Sequence, residues 1–217
     1  MARKRKKRQK TRQHKVTKRK KKGASRRGRS RAHPPLRMAG RWPLHEVLLA
    51  RDWQEEGQIV QILVARRSGM GQIAAGTFLV DLGCLGVKSA FASLLDSQRE
   101  YEQKLRWRLA SQQDLAPADL NLVAKIIREG IAYARSLGFS PDPDYRDAMA
   151  VLGDADPDAC PDNIPLGGKD GRPYFFAGPY DDVPAIMAQL TKVCGPDGFT
   201  YFAPIDPDTE LFLDDEL

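Results

Sequence analysis

Asp81, Cys84 and Lys88 fall within eight residues of one another, and their types could act together. They lie in the stretch GTFLVDLGCLGVKSAF, residues 76–91, where a carboxylate closes an apolar run and a turn holding Gly83 and Gly86 comes next. If that turn opens a helix, its backbone N–H groups can face an anion. Asp81 would then be the acid–base group, Cys84 the nucleophile and Lys88 the charge clamp of a hydrolase or nuclease. The same residues also read as architecture. Asp81 can cap, Cys84 can sit in a core, and the glycines can let two backbones approach. No GxxxxGK[ST] phosphate loop is present, and Gly83 and Gly86 do not match a dinucleotide fingerprint. The catalytic residues are therefore unknown, with Asp81, Cys84 and Lys88 as the candidates.

Asp154, Asp156, Asp158 and Asp162 are the second cluster. Hard cations take oxygen ligands at such a density. The calcium-loop pattern fails here, because Ala159 stands where its glycine belongs and Pro165 where its closing glutamate belongs. A solvated acidic loop is the expectation. Asp142, Asp144 and Asp147 read as acids at a helix N-terminus, suited to its dipole. Together with Asp81 they contain the residue types of a metal-dependent nuclease, without the spacing that would require one. The three histidines, at 14, 33 and 45, and the three cysteines, at 84, 160 and 194, include no metal-ligand spacing and no disulfide framework. No metal and no cofactor is expected.

The strongest functional signal is electrostatic. Residues 1–42 carry 20 of the 35 Lys and Arg and no acid, so the remaining chain holds 15 cations against all 28 acids, a net −13. The runs Arg3, Lys4, Arg5, Lys6, Lys7, Arg8 and Arg19, Lys20, Lys21, Lys22, with Arg26 and Arg27, can neutralise phosphates and release condensed counterions. Arginine can also fork onto phosphate. It can also stack on bases. No Phe, Tyr or Trp precedes Trp42, so stacking on aromatic rings is unavailable, and the arm should grip backbone and not read bases. Few apolar residues offset the cost of ordering it, on the order of 1–2 kcal/mol per residue, so it is read as disordered when free. Nucleic acid is the partner this charge implies, RNA or a ribosomal particle ahead of DNA. The competing readings are a nuclear address, a solubilising tail, an arm folded on its own acidic body, and a protein-interaction adaptor.

The stretch Ile73–Val87 is the most apolar, but Asp81 interrupts it and it is too short to span a bilayer. A cytoplasmic protein with no membrane partner is expected, nucleoid-bound or nuclear if the arm acts as an address.

The elements that must position these residues can be read from pattern. Pro34 and Pro35 make a hinge. Strands are expected at Val47–Leu49, at Ile59–Ala65 and at Ile73–Val80, the last two joined by the turn Ser68–Gly71 into a hairpin. A helix should come after Lys88, with Phe91, Leu94, Leu95, Gln98, Tyr101, Leu105 and Leu109 on one face. A second helix opens at Pro117 or Asp119 and stops at Gly138, and a third spans Pro141–Leu152. A loop over 153–171, a short strand over Pro173–Ala177, a helix over Val183–Val193 capped by Asp181 or Asp182, and a strand over Phe199–Phe202 complete the body. Trp42, Trp53 and Trp107 are read as packing residues, not base platforms. The fold class is α+β: a single domain over 43–205 with a β-hairpin and several packed helices, preceded by the disordered basic arm and hinge (1–42) and succeeded by an acidic tail (206–217).

Trp53–Glu55, residues 76–91 and residues 124–153 (AKIIREGIAYARSLGFSPDPDYRDAMAVLG) resemble a bacterial domain found in many proteins of unknown function, over roughly residues 43–180. The resemblance implies a folded unit and brings no activity, cofactor or site residue with it.

Overall fold

The computed structural model describes residues 34–202; the arm up to position 33 and the acidic tail at 206–217 lie outside the described residues. The body is organised around β2 (Ile59–Arg67) and β3 (Ile73–Asp81), which pair antiparallel in unbroken register from Ile59 opposite Asp81 to Arg67 opposite Ile73. Val60, Ile62, Leu63 and Val64 are all fully buried, so both faces of this hairpin are covered. Each such side chain contributes about 1.5–3 kcal/mol on burial. β1 (Leu44–Ala50) and β4 (Gly86–Leu95) flank the hairpin, and β5 (Leu115–Pro117) adds the last strand in the order β4-β3-β2-β1-β5.

The helix expected straight after Lys88 is replaced in part by β4. Its register runs from Gly86 opposite Asp81 to Leu95 opposite Ile73. The helical run begins only at Gln98, after Ser97, whose hydroxyl accepts from the Glu100 N–H. It comprises α2 (Gln98–Tyr101), a π-helical turn (Glu102–Arg106) and α3 (Trp107–Ala110). Tyr101, Leu105 and Leu109 from this run cover one sheet face, against Leu48, Leu63, Ala65, Ile73, Ala75 and Leu95.

The opposite face takes α4 (Leu120–Ser136), whose first N–H groups are capped by Asp119. Gly130 of α4 lies against Val80, and a Cβ there would sit 2.9 Å from it, so the glycine sets the close approach of helix to sheet. The third helix is shorter than its pattern suggested: α5 (Tyr145–Ala148) tightens into a 3-10 turn over Met149–Leu152, closed by Gly153 at φ +58°. Beyond the loop, β6 (Tyr174–Phe176) and β7 (Thr200–Phe202) pair in parallel, and α6 (Val183–Cys194) lies between them in sequence with Asp182 as its cap.

Upstream, Pro34 and Pro35, expected as a hinge, instead open the short helix α1 (Pro34–Met38). Proline suits that place because the first turn needs no N–H donor. With the 3-10 turn Ala39–Arg41 the helix belongs to the body, where Leu36 and Ala39 are buried. The described part is thus a single α+β domain built on one antiparallel sheet and its hairpin. Among the described residues no helix is long and apolar enough to cross a membrane.

Candidate functional site

Asp81 ends β3, and the residues after it form the tight turn into β4. Its carboxylate Oδ1 accepts from the backbone N–H of Cys84 at 2.9 Å and of Leu85 at 3.3 Å. The donors that would have faced an anion at a helix N-terminus are therefore spent on Asp81, and the next element is the strand β4. The expectation of a strand–turn–helix anion site fails for that reason. Asp81 is 2% exposed, and burial pushes its carboxyl up to about 6 against the pull of its backbone donors and of Lys88.

The turn is held from outside as well. The Leu82 N–H donates to Gln58, the Gly167 N–H to Leu82, and the Tyr174 N–H to the Gly83 carbonyl at 3.0 Å. A Cβ on Gly83 would lie 2.2 Å from the Tyr174 carbonyl, so only glycine lets β6 start against this turn. Cys84 is fully buried in a cluster with Leu85, Leu137, Phe175, Ala177 and Leu190. Burial first, and the Asp81 charge second, raise its thiol far above the ordinary range. A thiol so placed stays protonated at neutral pH.

Lys88 points elsewhere. Its Nζ donates to Asp181 Oδ2 at 2.7 Å with both side chains largely buried, and the same oxygen accepts from the Gly178 N–H at 2.8 Å. The pair ties β4 to the segment that leads into α6. Asp181, one of the two acids expected to cap α6, is instead the partner of Lys88, while Asp182 accepts from the Ala185 N–H. The structure thus gathers Asp81, Cys84 and Lys88 at one end of the sheet and gives each a partner or a packing position within the body.

The acidic loop resolves into individual contacts. Asp154 meets Arg66 at 3.0 Å and Asp158 meets Arg128 at 2.8 Å, and the Arg128 hydrogen bond holds the Asp158 carboxyl below its ordinary value. Asp156 caps the 3-10 turn Pro157–Ala159 through the Asp158 N–H, and Lys125 Nζ donates to the carbonyls of Cys160 and Asp162. Asp142 accepts from the Asp144 N–H at 2.8 Å. Among the described residues no group of three or more His, Cys, Asp or Glu is arranged to hold a metal. A cleft beside β6, lined by Glu56, Gly168, Lys169, Asp170, Tyr174 and Thr200, mixes charges of both signs.

Sequence reasoning passed over two polar networks, one buried and one half-buried. Arg66 is 4% exposed and donates to the carbonyls of Val151, Trp42 and Leu152 at 2.6–2.9 Å, and to Asp154. The signal was present: Arg66 is in phase with Val60, Ile62 and Val64 along β2, so alternation puts it on a covered face. In the second network, Glu46 accepts from the Tyr101 hydroxyl at 2.5 Å and from Arg106 Nε at 2.9 and 3.0 Å. Sixty positions separate Glu46 from Arg106, and no local pattern links them.

Trp107 is also not where its type suggested. It is 78% exposed, whereas Trp42 and Trp53 are half-buried. The twelve arm cations at 3–8, 19–22, 26 and 27 lie outside the described residues. Comparison with family models, with curated proteins and with solved structures gives no match.

Proposed function

We propose that this chain associates with nucleic acid by neutralising backbone phosphates with its basic arm, RNA or a ribosomal particle ahead of DNA. One observation carries the reading: 20 cations and no acid in the first 42 residues. A run of that density has no use for itself, since like charges repel and no acid within it offers a partner. Phosphate backbone supplies a matching density of negative charge, and counterion release makes the association favourable at low salt.

The body supports this division of labour. Residues 34–202 hold 17 cations and 22 acids, so the domain's net charge does not attract a polyanion and the long-range electrostatic part of the affinity belongs to the arm. The contacts read charge and not sequence, because phosphate contacts position a protein without specifying bases.

The experiment is to recover the full-length chain from its source cells and identify what accompanies it before and after nuclease treatment. RNA that ribonuclease removes is the expected companion. A protein companion that survives both nucleases, with no nucleic acid in the untreated sample, contradicts the proposal and favours an adaptor.

A further inference from the structure

The arm offers no Phe, Tyr or Trp ring before Trp42, so a base brought to it finds no large aromatic face. The body has such a ring, and its helix shows why it points outward. Tyr101, Leu105 and Leu109 face the sheet at four-residue steps. An α-helix turns once in 3.6 residues, so three such positions drift around its axis. The wider π turn at Glu102–Arg106 cancels the drift and keeps all three on the core. The same geometry aligns Arg99, Gln103 and Trp107 on the side away from the core, and all three are exposed.

The charges around this ring differ from those of the body. Residues 99–108 carry four cations and two acids inside a domain whose net charge is negative. Lys104 pairs with Glu100 and Arg106 with Glu46. Arg99 and Arg108 are exposed and have no ion-pair partner among the described residues. A second exposed ring, Phe91, lies on the edge strand β4 and is 58% exposed. Phe91 is opposite Thr77, Thr77 opposite Leu63, and Leu63 opposite Leu48. Residues directly opposite share a face, so Phe91 projects on the same side of the sheet as the helix that carries Trp107.

We infer that this side of the body is a stacking surface for single-stranded nucleic acid, centred on Trp107. A base stacks on the exposed indole and Arg99 and Arg108 meet the flanking phosphates, with Phe91 a further exposed ring on the same side of the sheet. Bases within a duplex are stacked on each other and offer no free face, whereas a single strand does. The inference rests on the nucleic-acid reading of the arm and narrows its ligand to single strands.

The test uses the full-length chain, a 12-mer of oligouridylate, and an RNA duplex at matched salt. Trp107→Ala should weaken binding to the single strand by about 5- to 150-fold, the range for one base on one ring, and leave duplex affinity unchanged. Trp107→Phe should restore most of the loss, and Arg108→Gln should lower the salt slope by about one contact. Because Trp107 is exposed, unchanged thermal unfolding of the alanine variant is expected and separates lost binding from lost fold. Equal affinity of parent and Trp107→Ala for the single strand overturns the inference while the arm reading stands. So does a change in sedimentation of the alanine variant without a change in affinity, which would mark Trp107 as a protein contact. Full-length protein that binds neither polymer at low salt overturns the arm reading and this inference with it.

Discussion

Asp81 is the residue at which chemistry and architecture part. Its carboxyl is near 3.8 in the unfolded chain and raised to about 6 in the folded one. Between those values the folded chain keeps a proton that the unfolded chain has released. Stability therefore falls as pH rises through that window, by about 3 kcal/mol in all, and levels off above it. Asp81→Asn keeps an oxygen for the Cys84 and Leu85 N–H groups without the charge, so this pH dependence should vanish. Asp81→Ala orphans both donors and should cost about 1–3 kcal/mol at pH 4, where the parent residue is largely protonated in the fold. Denaturant unfolding from pH 4 to 8 checks both. An Asn variant with the parent's pH profile would mean that another group titrates in the fold.

At the scale of elements, Arg66 joins β2 to the 3-10 turn at Met149–Leu152 and to the chain at Trp42. The guanidinium reaches three carbonyls at once because it is a planar fork, and an ammonium cannot. Arg66→Lys should lower stability by on the order of 3 kcal/mol, since it leaves buried carbonyls unpaired. Asp154→Asn, at the exposed end of the same network, should change it little. Equal losses in urea unfolding would show that the ion pair, and not the carbonyls, holds the turn. The central hairpin was legible because Ile59–Ala65 is rich in β-branched residues and a Ser-Gly turn separates it from the apolar run Ile73–Val80, and α4 because Asp119 and Gly138 bracket an apolar stripe. β4 was not. It is an edge strand that buries Val87 and Ala90, while Phe91 and Leu94 happen to fall in helical phase with Tyr101. β5 has three residues, too few for any period to show. Of the candidate site, the proximity of Asp81, Cys84 and Lys88 could be read from their spacing. The partner that claims Lys88 could not, because Asp181 lies 93 positions away.

For the whole molecule, the charge split visible in sequence remains the main statement about function. The folded body is acidic, and the sequence ends in Asp206, Asp208, Glu210, Asp214, Asp215 and Glu216. That tail is a second polyanion on the same chain and should compete with nucleic acid for the arm. Removing residues 206–217 should tighten binding at low salt, and the difference should shrink as screening shortens toward about 8 Å. Unchanged affinity at low salt after that removal would show that the tail is no shield. The central claim is that arm cations neutralise phosphates, and the slope of log affinity against log salt measures it most directly. It should be compared between the full-length chain and a full-length variant with Gln at the twelve positions 3–8, 19–22, 26 and 27. With six to ten phosphate contacts, the parent should lose affinity linearly on the double-logarithmic plot, by about 10³- to 10⁵-fold between about 50 and 200 mM salt. The variant should bind weakly with a shallow slope. A flat response of the parent, or the same slope in both chains, would contradict the account.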